Sequence, residues 1–192
     1  QQVVDVLAVV RVLSGSNLLD SDAANAVIDA VGRDDFRERP LEMVTSRANG
    51  APFAVPYDGW IQALWYRRDL FEQNELNGPI SWDDINAACD RLIESGTVGA
   101  SMVLPTTTDQ DYTQQVFEQV AMSNNAWPFD AEGNVTMNTP EMIEALRFYT
   151  ELQRCSMPAP QDLFDAREAY ESGQSGMLFY STYIMDDLIE GS

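Results

Sequence analysis

Apolar and polar positions along this chain switch period repeatedly, and the switches predict the elements. Residues 3–10, VVDVLAVV, form a β-branched, almost continuous apolar run, the pattern of a strand buried on both faces. SGSN at 14–17 predicts a turn. The spacing of apolar residues at 23, 24, 27, 28 and 31 predicts a helix from Asp20 to Val31, ended by Gly32. The charged stretch from Asp34 to Glu42 is anchored by Phe36 and Leu41. The pair Asn49-Gly50, between Val44 and Phe53, predicts a hairpin leading into a strand. Residues 60–66 alternate, with Ile61, Ala63 and Trp65 on one face and Trp60, Gln62, Leu64 and Tyr66 on the other.

Helical spacing returns in RRDLFEQNEL and stops at Asn77-Gly78-Pro79. Ser81, with Asp84 three residues on, predicts a capped helix through Glu94, closed by Gly96. Residues 99–104 predict a short strand, and PTTTDQD a polar loop. A stripe at Tyr112, Val116, Val120 and Ala121 predicts a helix over 111–122. WPFDAEGNVTM predicts a turn and hairpin, and Thr139-Pro140 the start of a helix running to about Arg154. SMPAP breaks the chain. A short helix over 165–172 ends at Gly173, a strand follows over 176–180, and the last residues restart as a helix. Helices and strands interleave, so the fold class expected is α/β, with helices packed on a mixed sheet in a largely three-layer plan. The chain opens inside one apparent element and closes inside another, so a fragment truncated at both ends is expected.

Composition changes the picture through charge. The 192 residues carry 31 Asp and Glu against 11 basic residues, with no His, for a formal net charge of −20. Every basic residue is Arg. Such a surface repels itself at ordinary salt, whereas screening at 1 M shortens the interaction range to about 3 Å. The expectation is a protein of a halophile; the bland alternative is an acidic mesophilic protein that lacks Lys by chance. Nucleic acid and anionic membrane surfaces would meet like charge and are poor partners, so no nucleic acid is expected. No apolar run spans a bilayer, since Asp5 and Arg11 interrupt the nearest candidate. No cationic segment is followed by an apolar stretch and a small-residue cleavage site. Cys89 and Cys155 lack the spacing and partners of a zinc site and read as small buried residues; a disulfide between them is open. No cofactor is expected.

Catalysis has little to stand on. The acid pairs Asp34-Asp35, Asp83-Asp84 and Asp186-Asp187 raise a glycosidase, whose two carboxyl groups flank the bond it cleaves. In so acidic a chain such pairs arise freely, and Asp83 and Asp84 are explained by a helix start. No hydrolase, zincin or phosphate-loop signature occurs, and the commonest general base, His, is absent. A non-catalytic protein-interaction domain is the other alternative.

Four segments in order, PFAVPYDGWIQALWYRRDLFEQNEL, PISWDDINAACDRL, DYTQQVFEQVAMSNNA and REAYESGQSGMLFYSTYI, resemble the extracellular solute-binding proteins of ABC transporters, in the branch of sugar binders that includes maltose-binding protein. Arg67-Arg68 stands where that family usually has Asn-Lys. The resemblance runs over nearly the whole chain but corresponds to only about half of a family member, without its early strands and C-terminal helices. It implies the type II periplasmic-binding-protein fold, with two α/β lobes closing on a solute and docking on a membrane permease. Residues 1–57 would be the end of a lobe I segment leading into the hinge, and 58–192 most of lobe II. The family location is extracellular and associated with the cell surface, with a lipid anchor possible through a segment preceding this one. A monomer or weakly associating chain is expected.

By position against the family, the resemblance places Trp60 in the cleft just after the hinge and Tyr183 as a stacking aromatic past the last strand. Tyr57 and Asp58 flank the hinge. Asp111, Tyr112 and Gln115 fall where further contacts come, and Arg11 in the first cleft loop. These types suit a sugar: rings cover its C–H faces, and carboxylates, amides and Arg bond its hydroxyls. Each has a structural reading beside it, a packed ring or a surface ion pair, and Trp65 and Trp82 are read as core. A polyamine or a polyol phosphate also remains open.

Overall fold

The computed structural model describes residues 21–57, 59–108, 110–130, 132–158 and 161–190. The strand expected at 3–10 and the turn at 14–17 lie outside them. The chain divides into two compact units, one up to Ile61 and one from Gln62 onward.

In the first unit, α1 (Ser21–Val31) buries Ala24 and Ile28 and leaves Val27 and Val31 exposed. Gly32, at φ 110°, ends it, as the sequence predicts. A 3₁₀ turn (Arg33–Asp35) and α2 (Glu38–Met43) follow, with Phe36 and Leu41 half-buried. The Asn49-Gly50 turn forms, with Gly50 at φ 69° and Phe53 N–H bonded to Val44 O at 2.8 Å. The strand expected beyond it reduces to one bridge, Thr45 with Pro52. Pro52 and Pro56 lack the N–H that a longer ladder needs.

The second unit is built on a three-stranded mixed sheet in the order β1-β3-β2. The edge strand β1 (Gln62–Tyr66) runs antiparallel to β3 (Ser175–Ser181), from Gln62 opposite Ser181 to Tyr66 opposite Met177. On the other side β2 (Ala100–Val103) runs parallel to β3. β3 has no charged side chain and is buried along its whole length, as a central strand covered on both faces requires. Trp65, read as core, is half-buried and donates its indole N–H to Tyr180 O at 3.0 Å.

Helices clothe this sheet. After the short α3 (Arg68–Gln73), α4 (Trp82–Ser95) turns Ile85, Ala88, Cys89 and Leu92 inward. Ser81 Oγ accepts from Asp84 N–H, while the Asp84 carboxylate accepts from the Ser81 hydroxyl and Ile80 N–H. Those donors hold the Asp84 carboxyl below its ordinary range, the Ser81 hydroxyl foremost. Gly96, at φ 64°, closes the helix. α4 lies so close to β3 that a Cβ at Gly176 would fall 2.7 Å from Leu92 Cδ1.

The expected stripe of α5 (Asp111–Ser123) is buried at Tyr112, Val116, Val120 and Ala121. Thr139 caps α6 (Pro140–Glu151), which tightens into a 3₁₀ turn over Leu152–Cys155 instead of staying α-helical to Arg154. α7 (Leu163–Glu171) starts two residues before the expected Asp165, because Asp162 and Asp165 form a reciprocal capping box. α8 (Ile184–Glu190) follows β3. Trp82, half-buried, stacks on Phe148 at 4.2 Å and joins α4 to α6.

Cys89 and Cys155, both buried as expected, are joined in a disulfide that ties α4 to the 3₁₀ turn. Arg154 spans the same two elements outside, donating to Asn86 Oδ1 and Asp90 Oδ1. No helix among the described residues is long and apolar enough to cross a membrane.

Candidate functional site

Because β2 and β3 are parallel, their carboxyl ends lie at one end of the sheet, where open α/β folds gather ligand-binding loops. β1 runs the other way, so its first residue, Gln62, is at that same end, opposite Ser181. Three of the residues singled out in the sequence follow these strand ends: Asp111 and Gln115 on α5, which comes after β2, and Tyr183 just past β3. β2 gives way to the polar loop that leads into Asp111 and α5, and β3 to a turn at Thr182-Tyr183.

The loop after β2 is braced. Thr113 Oγ1 donates to Thr107 O at 2.7 Å, Thr107 Oγ1 to Gln161 O at 3.1 Å, and Tyr149 Oη to Pro105 O. Asp111, exposed, is therefore presented from a fixed backbone at the first turn of α5, where the helix dipole favours negative charge. Tyr183 is 55% exposed. Gln115 is half-buried, and its Oε1 accepts from Gln62 Nε2 at 3.0 Å. The Gln62 Oε1 of that pair is buried and has no hydrogen-bond partner. A buried amide oxygen without a donor is uncommon.

Tyr112 is corrected by the structure. Its ring is 4% exposed and its hydroxyl donates to Phe179 O at 2.6 Å, so it is a core residue that pins α5 to β3 and offers nothing to a ligand. Desolvation, with smaller contributions from Tyr180 and Tyr149, pushes its phenol above the ordinary tyrosine range. The stripe that predicts α5 also contains this information, since Tyr112 is its first apolar position.

Of the residues placed in the first unit, Tyr57 is 99% exposed and Trp60 is half-buried. Tyr57 lines an open cavity of about 760 Å³, together with Phe36, Arg37, Arg39 and Ile61. Asp58 and Arg11 lie outside the described residues. Gln62 is a candidate that sequence reasoning did not select; the available signal was a polar amide on an otherwise apolar strand. Among the described residues, no group of three His, Cys, Asp or Glu side chains could hold a metal ion.

A family model described as bacterial extracellular solute-binding protein matches residues 3–190. Escherichia coli (strain K12) YcjN, whose name describes an ABC transporter periplasmic-binding protein, is 33% identical over 180 residues, covering 94% of this chain and 42% of YcjN. Among solved structures, a sugar transporter from Arthrobacter chlorophenolicus A6 with bound laminaribiose superposes with a TM-score of 0.70 at 20% identity, covering 84% of this chain and 42% of that one. UgpB from Mycobacterium tuberculosis, in complex with glycerophosphocholine, gives a TM-score of 0.75 at 20% identity, covering 93% and 44%. The chain thus spans well under half the length of the relatives it matches.

Proposed function

The chain belongs to the bacterial extracellular solute-binding proteins, and from that premise we propose that it is part of the substrate-binding component of an ABC importer. It captures a small, hydroxyl-rich solute, a sugar or a polyol derivative, and delivers it to a membrane permease without making or breaking a bond. Residues 58–192 supply most of one lobe of that protein, and 1–57 the end of a segment of the other.

The observation that carries this reading is the group at the carboxyl end of the sheet: exposed Tyr183, exposed Asp111 and the Gln62–Gln115 amide pair with its unmet acceptor. An aromatic face covers C–H surface, while a carboxylate and an amide oxygen accept from hydroxyls. Trp60, Tyr57, Asp58 and Arg11 complete the proposed ligand set from the sequence resemblance. The relatives solved with laminaribiose and with glycerophosphocholine support a hydroxyl-bearing solute and leave its charge to be measured.

The buried disulfide fits work outside the cell, at the cell surface, where thiols oxidise. The lysine-free acidic composition fits a saline habitat. A thermal-shift screen tests the reading on a chain extended at both ends toward the length of its relatives. Mono- and disaccharides, glycerol phosphodiesters and polyamines form the panel. A saturable rise in Tm with a hydroxyl-rich solute is expected; a folded, extended protein that responds to none of them overturns it and favours a ligand-free interaction domain.

A further inference from the structure

The sequence holds two Asn-Gly pairs, Asn49-Gly50 and Asn77-Gly78, and the fold treats them differently. Such a pair carries a chemistry of its own. Glycine has no Cβ to shield its main-chain nitrogen, so that nitrogen can reach the side-chain amide carbon of the preceding Asn. Both asparagines are exposed, and water has access to each. What separates them is how the reacting groups are held.

At the first pair both groups are engaged. Gly50 N–H donates to Ser46 O at 2.8 Å, and Asn49 Oδ1 accepts from Ala51 N–H at 3.1 Å. Ser46 N–H donates to Ala51 O at 2.9 Å and closes the turn around them. The second pair lies in the link between α3 and α4. There the bonded main chain stops at Leu76, whose N–H donates to Phe71 O, and resumes at Ile80, on Asp84 Oδ2. Among the described residues no hydrogen bond engages the Asn77 side chain or the Gly78 N–H.

We propose that Asn77 is a site of spontaneous modification, deamidating to aspartyl and isoaspartyl forms, while Asn49 is protected by its turn. The Gly78 nitrogen gives up its proton and attacks Asn77 Cγ. The N–Cγ bond forms, the Cγ–Nδ2 bond breaks, and Nδ2 leaves as ammonia with that proton. One water then opens the cyclic imide at either carbonyl. The product adds a carboxylate to an already acidic surface and, in the isoaspartyl form, lengthens the main chain of the link. The position is remote from the proposed solute site, since Gly78 lies against Tyr66, at the opposite end of β1 from Gln62. The two sites share no residue, so either can fail alone.

The test is peptide mass spectrometry after storage of the folded chain at mildly alkaline pH, with the guanidinium-unfolded chain stored in parallel. After reduction, cleavage behind arginine puts Asn49 and Asn77 in separate peptides, 48–67 and 69–91. Electron-transfer fragmentation distinguishes aspartyl from isoaspartyl products. In the unfolded chain both pairs should react at comparable rates. In the folded chain Asn77 should react about tenfold or more faster than Asn49, because two hydrogen bonds have to break at one pair and none at the other. Asn77→Gln keeps the amide but has to close a larger ring, and it should remove the main acidic isoform on isoelectric focusing. Gly78 is left intact, because a Cβ there would fall 2.7 Å from Tyr66 Oη. Equal rates in the folded chain, faster reaction at Asn49, an unreactive Asn77, or an acidic isoform that survives in Asn77→Gln overturns the proposal.

Discussion

Tyr112 donates its hydroxyl to the main-chain oxygen of Phe179 at 2.6 Å, fastening the first turn of α5 to the central strand two residues before that strand ends. Removing the hydroxyl leaves the Phe179 oxygen buried without that donor. Tyr112→Phe should lower stability by about 1–3 kcal/mol, read as a shift in the urea midpoint. An unchanged midpoint would mean that the bond does not hold α5.

Alkaline pH should find the same weakness collectively. Burial pushes the Tyr170 phenol up to about 12, and raises Tyr149 and Tyr112 as well. An unfolded tyrosine ionises near pH ~10, so the folded state holds these protons more tightly. Their contribution to stability is intact below that pH and is lost as pH climbs through about 10 to 12. Loss of the circular-dichroism signal should therefore track the last tyrosinate absorbance. If every tyrosine ionised near its ordinary pKa while the fold persisted, the burial account of these phenols would be wrong.

The disulfide closes a long stretch, since Cys89 and Cys155 are 66 residues apart. On the chain-entropy argument a cross-link of that span contributes about 4 kcal/mol through the unfolded state. The Cys89→Ser/Cys155→Ser double variant should unfold at correspondingly lower denaturant, measured in parallel with the parent. Both sulfurs are buried, so mild reductant should leave the folded parent oxidised. Equal stability of parent and variant would contradict the cross-link's role.

Salt should matter more than any single ion pair. The Arg–carboxylate contacts described, such as Arg68–Glu72 and Arg167–Asp187, are at the surface and individually weak. The excess of acids remains, and its mutual repulsion falls as screening tightens. Tm should rise steadily between about 0.1 and 2 M KCl. A flat or falling Tm would remove the physical ground for a saline habitat.

Local rules made most of the second unit legible from its sequence. Ser81, Gly96, Thr139 and Pro140 mark helix ends by short-range chemistry, and the α5 stripe states which face is buried. The capping box at Asp162 was equally local but stood just outside the expected helix. Pairing partners were not legible, because nothing short-range announces that β1 lies antiparallel beside β3, or that Cys89 meets Cys155. The site shows the same division. Tyr183 and Asp111 entered the proposed site through the family resemblance, whereas Gln62 enters it only through a bond to Gln115, 53 positions away. Tyr112 went the other way: one ring suits both a cleft and a core, and only the path of β3 decides.

The most direct test of the central claim is a tryptophan-fluorescence titration of the extended protein with the best solute from the screen, repeated on Tyr183→Ala and Gln62→Leu. Loss of the exposed ring or of the unmet amide acceptor should each weaken binding by about tenfold or more, with circular dichroism unchanged. Undiminished affinity in both folded variants would contradict the placement of the solute at the carboxyl end of this sheet.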